Sequence, residues 1–153
     1  MATRIETKPS DLYERDIYAW SKEQAALLRA RRFGDLDLEH LTQEVEDVGE
    51  SLYREVRSRV RTIIEHLLKL ERSPATEPRA GWEKTIRTQR ADLADDLTPS
   101  LRPRIEANLP RFYEIARIEA ATTLREHGES AAADALPATC PYTLEQITGD
   151  WLP

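Results

Sequence analysis

The most regular hydrophobic pattern in the chain lies between residues 38 and 70. Apolar side chains recur there every three or four positions, which is the spacing of one face of an α-helix. They are Leu38, Leu41, Val45, Val48, Leu52, Val56, Val60, Ile63, Leu67 and Leu70. Such a helix would be ~50 Å long at 1.5 Å per residue. Because Gly49 and Ser51 lie within it, residues 38–71 are predicted to form either one kinked helix or two collinear helices.

Helical patterns also flank this central segment. Before it, one helix is predicted from about residue 10 to residue 32. One of its faces is formed by Tyr13, Ile17, Trp20, Gln24, either Leu27 or Leu28, and Arg31. Gly34 is expected to end this helix, and Asp35 or Asp37 is expected to cap the central one.

After the central segment, two prolines predict a loop over residues 72–81. A third helix follows, with Trp82, Ile86, Leu93 and Leu97 on one side. Thr98 is expected to cap a fourth helix that has Pro99 at its first position, bends or restarts at Pro110 and ends at Gly128.

The last 25 residues differ from the rest because they carry only one short helical segment. Thr143, with Gln146 three residues later, predicts a capping box that opens this helix. Trp151 and Leu152 are apolar and are expected to pack on the other helices, which would hold the tail in place.

These patterns predict an all-α fold. We expect an antiparallel bundle of four or five main helices, with the long helix central and the short C-terminal helix packed across it. The predicted organisation is a flexible arm over residues 1–9, the bundle over residues 10–128 and the tail over residues 129–153.

Composition narrows the class of protein. The chain has 153 residues, a formal net charge of −6 and a single cysteine, Cys140. The negative charge disfavours nucleic-acid binding, and one cysteine cannot form an internal disulfide or a multi-cysteine zinc site. The sequence shows neither a signal peptide nor an apolar run long enough to cross a membrane, so a cytoplasmic protein is expected.

Several sequence segments occur in an order that resembles a known family. They are "DLYERDIYAWSKEQAALLR", "LDLEHLTQEVEDVGES", "HLLKLE", "GWEKTIRTQR", "LTPSLRP" and "CPYTLEQI". Together they cover most of residues 11–148 and resemble the domain of unknown function 29 family of bacterial proteins. The resemblance implies a small all-helical bacterial domain, and it implies no activity and no catalytic residue.

A row of polar side chains is predicted along one edge of the central apolar face, formed by Glu44, Ser51, Glu55, Thr62 and His66, with Arg59 beside it. Together with Asp16, Gln24 and Arg90 from the neighbouring helices, this rim could line a cleft where Glu55 and His66 exchange protons or hold a ligand. The alternative, which we favour, is that Glu55 pairs with Arg59 while His66 forms a hydrogen bond with a neighbouring helix.

Metal binding is disfavoured. On one helix His40 and His66 would lie ~39 Å apart and could not share an ion. The acidic groups Glu44 with Asp47, and Asp92 with Asp95 or Asp96, have a spacing too common to indicate magnesium. We therefore assign no catalytic residue, no metal ligand and no cofactor.

Basic residues leave a third possibility open. Arg54, Arg57 and Arg61 share one helix face and could contact phosphates. However, Glu50 precedes Arg54 by four residues and Arg61 precedes Glu65 by four, which predicts weak ion pairs on an exposed surface.

The leading functional hypothesis is a non-enzymatic helical protein that associates with itself or with another bacterial protein. The reason is the length of the central helix, which would extend beyond a compact core unless a partner covered it. One alternative is a small-molecule or metal-dependent enzyme that uses the rim around Glu55, Arg59 and His66. The other is a nucleic-acid-linked regulator, and the sequence does not decide whether a small molecule binds.

Overall fold

The computed structural model describes residues 9–153, with side chains from Leu12 onward. This part of the chain contains seven α-helices, one 3-10 helix at Phe33–Asp35 and no β-strand. The α-helices are α1 (Pro9–Arg15), α2 (Ile17–Arg29), α3 (Leu38–Arg72), α4 (Arg79–Asp96), α5 (Arg102–Glu126), α6 (Ser130–Asp134) and α7 (Leu144–Thr148). The predicted all-α fold with one long central helix is confirmed.

The chain divides into two compact units. The N-terminal unit ends at Ser51, the C-terminal unit is Leu52–Pro153, and α3 contributes residues to both. The predicted flexible arm lies outside the described residues, apart from Pro9 at the start of α1. The predicted boundary between bundle and tail at residue 128 stays a prediction, and the residues of that tail belong to the C-terminal unit.

The C-terminal unit is built around the apolar face of α3 from Val56 to Leu70. Fully burying an aliphatic side chain contributes ~1.5–3 kcal/mol relative to leaving it exposed. The core therefore stabilises this unit through the residues buried with α3, which come from α4, α5 and the tail: Ile86, Leu93, Ile105, Phe112, Tyr113, Ala116, Leu144 and Ile147.

The tail is held to the C-terminal unit by hydrogen bonds as well as by burial. The hydroxyl of Tyr113 donates to the carbonyl of Pro137 at 2.6 Å, and that of Tyr142 donates to Glu71 at 2.8 Å. The predicted capping box of Thr143 and Gln146 is present. The prediction of a single short helix in the tail is wrong, because Ser130–Asp134 forms a second one, α6. Trp151 and Leu152 remain 39% and 38% exposed, so their predicted packing is only partial.

The predicted single helix over residues 10–32 is wrong, because the chain leaves the helical conformation at Asp16. That residue has φ −154° and ψ 83°, and its Oδ1 accepts a hydrogen bond from the N–H of Ala19 at 2.9 Å. Asp16 therefore caps α2 instead of continuing α1. An aspartate side chain competes in this way with the hydrogen bonds of a helix interior.

Burial along α3 also differs from the prediction. The helix is continuous past Gly49, so one helix forms rather than two. Its C-terminal part is buried as expected, but Leu38, Val45 and Val48 are 63%, 71% and 73% exposed. Hydrophobic spacing identifies the apolar face of a helix, and it does not show whether other residues cover that face.

The start of α5 was predicted wrongly at Pro99. Residues 98–101 form a turn instead, in which the carbonyl of Thr98 accepts from the N–H of Arg102 at 3.1 Å. Pro110 lies inside α5 and does not restart it. Because Pro110 is exposed and removes only one donor, burial of its neighbours Leu109 and Phe112 outweighs the missing hydrogen bond.

The two isoleucines of α5 provide a matched test of this core. Ile105 is 0% exposed and Ile118 is 66% exposed. We expect Ile105→Ala to lower the free energy of unfolding by about 2–5 kcal/mol, because it removes buried surface and leaves a cavity. Ile118→Ala should change it by less than about 0.5 kcal/mol. Urea denaturation measures both, and equal losses at the two positions would show that the core is assigned wrongly.

Candidate functional site

The start of α3 in the N-terminal unit is organised around Asp37, a buried carboxylate. Its Oδ2 accepts from Nε1–H of Trp20 at 3.1 Å and lies 2.7 Å from Nδ1 of His40. Its backbone N–H donates to Oε1 of Gln24 at 2.8 Å. Because an ionised carboxylate can only accept, His40 carries a proton on Nδ1. Burial raises the pKa of Asp37, but the hydrogen bonds from His40 and Trp20 outweigh it and lower the pKa below its usual value.

Tyr13 of α1 joins this network from the other side of His40. The two rings are stacked, with centroids 3.9 Å apart and planes 19° apart. The hydroxyl of Tyr13 donates to Oε1 of Glu44 at 2.6 Å, and this bond, with burial, raises the pKa of Tyr13 to about 12. The Asp37 network thus ties α1 and α2 to the first turns of α3.

The three predicted rim residues of the N-terminal unit have separate roles. Asp16 caps α2, Gln24 accepts from the backbone of Asp37, and Glu44 accepts from Tyr13. Sequence reasoning named Asp37 as a possible cap but missed its pairing with His40. The available signal was the spacing "DLEH", which places a second polar side chain three residues after the cap.

In the C-terminal unit, Arg59 is held by three carboxylates. It contacts Glu55 at 2.6 Å, Asp92 at 2.8 Å and Asp96 at 3.4 Å. The favoured Glu55–Arg59 pair is therefore present. Asp92 and Asp96, which had been considered as magnesium ligands, join α4 to α3 through this guanidinium instead.

His66 does not complete a site with Glu55. It lies eleven residues beyond Glu55 on the same helix, which corresponds to ~16 Å. Its Nδ1–H donates to the carbonyl of Thr62 at 2.8 Å, so the expected bond to a neighbouring helix is wrong. Burial and the nearby ammonium of Lys69 lower the pKa of His66 and favour its neutral form.

The predicted ion pair between Arg61 and Glu65 is also wrong. Arg61 contacts Glu119 of α5 at 2.7 Å, and Glu65 contacts Lys69 at 2.8 Å. The first pair joins α3 to α5, and the second lies within α3.

Arg90 is buried in α4 and holds the end of the chain. Its guanidinium donates to the backbone carbonyls of Gln146, Ile147 and Trp151 at 2.7, 2.9 and 2.7 Å. These contacts cap the C-terminus of α7, whose last carbonyls have no partner within the helix. The observed partners of Arg90 are thus backbone carbonyls of the tail.

The apolar face at the start of α3, in the N-terminal unit, is largely exposed. Leu38, Leu41, Val45 and Val48 are spaced by three, four and three residues, which is the spacing of a coiled-coil seam. Three of the four side chains are exposed and Leu41 is half-buried. We call these four residues the α3 stripe. The same segment, residues 38–51, contains no lysine or arginine. Its acidic residues are Glu39, Glu44, Glu46, Asp47 and Glu50.

Comparison with known proteins places the chain in a family. Residues 12–152 match the model of the domain of unknown function DUF29. The chain belongs to the DUF29 family. A search of curated proteins and a search of solved structures found no match. Membership confirms the resemblance and assigns the DUF29 chain no substrate or partner.

Two further findings concern residues 9–153 of this DUF29 chain. None of the helices there combines the length and the apolar character needed to cross a membrane. The same residues contain no group of three histidine, cysteine, aspartate or glutamate side chains that could hold a metal ion.

The Asp37 network can be tested by removing its charge. Asp37→Asn should lower the stability of the N-terminal unit by about 1–3 kcal/mol, because buried hydrogen bonds lose their ionised acceptor. Asp35→Asn is the matched control, since the Asp35–Arg32 pair is exposed and should contribute less than about 1 kcal/mol. Urea denaturation followed by Trp20 fluorescence, with Trp82 and Trp151 replaced by phenylalanine, reports this unit.

The pH dependence of the same variants has a definite sign. Because the folded-state pKa of Asp37 is lowered, its stabilisation is complete above the unfolded pKa of about 4 and is lost as the pH falls through the folded value. The difference between the native chain and Asp37→Asn should therefore narrow below about pH 4. An undiminished difference at about pH 2 would contradict this assignment.

Proposed function

We propose that this DUF29 chain is a non-enzymatic protein-association module that works through the α3 stripe. The observation that carries the proposal is the exposure of Leu38, Val45 and Val48 on one helix face with coiled-coil spacing. Removing apolar surface from water contributes about 25 cal/mol per Å². A contiguous exposed apolar face is typical of a surface that another protein covers.

The charge around the stripe supports a second copy of the chain as the partner. At the end of α2, exposed Leu28 and Phe33 lie beside Arg29, Arg31 and Arg32. We call these five residues the basic patch. It belongs to the same unit as the α3 stripe. Each copy therefore carries one apolar surface with negatively charged neighbours and one with positively charged neighbours. Two copies could then form reciprocal contacts between stripe and patch, as in an isologous dimer.

The backbone of Arg31 gives independent support to the basic patch. Its φ is +55°, and the α2 terminus closes with bonds from the N–H of Arg31 to Leu28 and from the N–H of Arg32 to Leu27. The end of α5 forms the same motif with Gly128 at the equivalent position, at φ +79°. An arginine in this left-handed conformation costs about 1–2 kcal/mol relative to the right-handed region. Strained backbone conformations are common at functional sites, so this conformation fits a role for the Arg31 side chain in binding a partner.

The enzyme alternative has less support, because Glu55, Arg59 and Arg90 are engaged in contacts that join helices or hold the tail. The regulator alternative rests only on the arginine-rich face of α3 and carries no observation specific to a nucleic acid.

Sedimentation of variants tests the association. Val48→Glu should abolish self-association because it places a charge on the stripe, whereas Ile118→Glu, at an exposed isoleucine of α5, should leave it unchanged. Arg31→Gly should raise the stability of the dilute monomer by about 1 kcal/mol. It should weaken association by about 30-fold, because a rim charge worth about 1 kcal/mol is lost from each of the two reciprocal contacts. A monomer at every accessible concentration would contradict the second copy as partner.

A charge exchange makes the test specific for stripe and patch. Arg29→Glu with Arg31→Glu inverts two of the three positive charges of the patch, and Glu39→Arg with Glu46→Arg inverts two exposed acidic charges on the stripe side of α3. Each double variant should be monomeric alone, since like charges would then meet in both contacts. An equimolar mixture should restore a dimer containing one copy of each. If the mixture stays monomeric, the pairing of stripe with patch is wrong.

A further inference from the structure

A small pocket lies between α3 and α5 in the C-terminal unit, away from the residues used in the proposed association. Its volume is about 300 Å³. Three arginines, Arg57, Arg61 and Arg111, line the pocket and supply its positive charge. Asn108, Phe112 and Tyr53 also line it. A volume of this size is at the lower end for pockets that hold small molecules.

The arginines of the pocket have donor groups left to offer. The Nε atoms of Arg57 and Arg61 are buried and have no acceptor among the described residues. Arg61 uses its Nη2 on Glu119 at 2.7 Å, whereas no ion pair to a described residue is found for Arg57 or Arg111. A buried donor without an acceptor costs about 1–3 kcal/mol. A bound oxyanion would offer an acceptor to these guanidinium groups.

Two arginines outside the pocket allow a comparison of how their charges are neutralised. The Nε atoms of Arg59 and Arg117 also lack a well-aligned acceptor, but neither side chain lines this pocket. Arg59 is neutralised by Glu55, Asp92 and Asp96. Within residues 12–153, the three guanidinium groups of the pocket have one carboxylate ion-pair partner, Glu119. Positive charge is therefore in local excess there although the whole chain carries −6.

An aromatic contact involves one arginine of the pocket. The guanidinium of Arg57 lies 6.0 Å from the ring centroid of Tyr53, and Arg104, an arginine outside the pocket lining, lies 3.6 Å from the same centroid. Tyr53 and Phe112 are buried in the core, so the wall of the pocket is preorganised. Fixed guanidinium groups bind oxyanions more strongly than flexible ones because less side-chain entropy is lost.

We infer that this pocket binds a small phosphate-bearing anion. Guanidinium groups form paired, charge-assisted hydrogen bonds with phosphate oxygens, and several of them around one site match a dianion. The small volume of the pocket favours a phosphate group with a small organic part over a polymer. The inference does not depend on the proposed self-association, because the pocket residues lie in the other unit.

Isothermal titration calorimetry of the full chain tests the inference with three probes at low salt. Inorganic pyrophosphate should bind, and citrate should bind more weakly. The affinity for a DNA duplex should not exceed that of nonspecific contacts with its phosphates. Raising the salt concentration should weaken pyrophosphate binding. No binding of pyrophosphate, tighter binding of citrate, or binding of the duplex alone would each overturn the proposal.

Variants assign the binding to the pocket. Arg111→Gln should raise the pyrophosphate Kd by about tenfold or more, since a hydrogen bond to a charged group contributes about 1.5–3 kcal/mol. Arg111 is exposed, so this variant should fold normally. Arg57→Lys keeps the charge but loses the planar fork and should also weaken binding. Arg87→Gln, at an exposed arginine of α4 outside the pocket, is the control, and an equal effect there would overturn the assignment.

Discussion

The structure depends on how the apolar face of α3 is covered. From Val56 to Leu70 that face is enclosed by α4, α5 and the tail, and this burial is the main favourable contribution to the C-terminal unit. From Leu38 to Val48 the same kind of face is exposed. An apolar helix face that stays in contact with water does not gain the free energy of burial that stabilises the other part of the helix. The proposed association follows from this difference within one helix.

The polar side chains respond to a second constraint, which is that buried polar groups need partners. Asp37 satisfies it for the start of α3 through Trp20 and His40, and Arg90 satisfies it for the end of α7 through three backbone carbonyls. From the sequence alone, such groups cannot be told from catalytic or binding residues, because both are charged residues inside apolar patterns. The arginines of the α3–α5 pocket are different, since two buried donors there have no acceptor in the described part of the chain.

The sequence predicted the helices well where periodicity alone decides. The central helix, the loop after it and the capping box at Thr143 depend on spacing within a few turns, and each is present. It failed where a side chain competes locally with the helix, as at Asp16, or where packing outweighs a helix breaker, as at Pro110. The length of the central helix predicted that part of it would extend beyond the core. Which part is exposed, here Val45 and Val48, could not be predicted, because coverage depends on residues distant in sequence.

The candidate site was predictable to a smaller extent. The Glu55–Arg59 pair follows from a spacing of four residues on one helix, but Asp92, Asp96 and Glu119 are contributed by other helices and gave no local signal. The same holds for Arg31, whose left-handed backbone depends on how α2 ends rather than on residue type.

The most direct measurement is the accessibility of valine and isoleucine methyl groups to a soluble paramagnetic probe, recorded by NMR on the full chain at low and high protein concentration. The account predicts that the methyl signals of Val45 and Val48 are broadened by the probe in dilute solution and become protected at high concentration, while Ile118 stays accessible throughout. If Val45 and Val48 remain as accessible as Ile118 at the highest concentration, the α3 stripe is not covered by a second copy and the central claim is wrong.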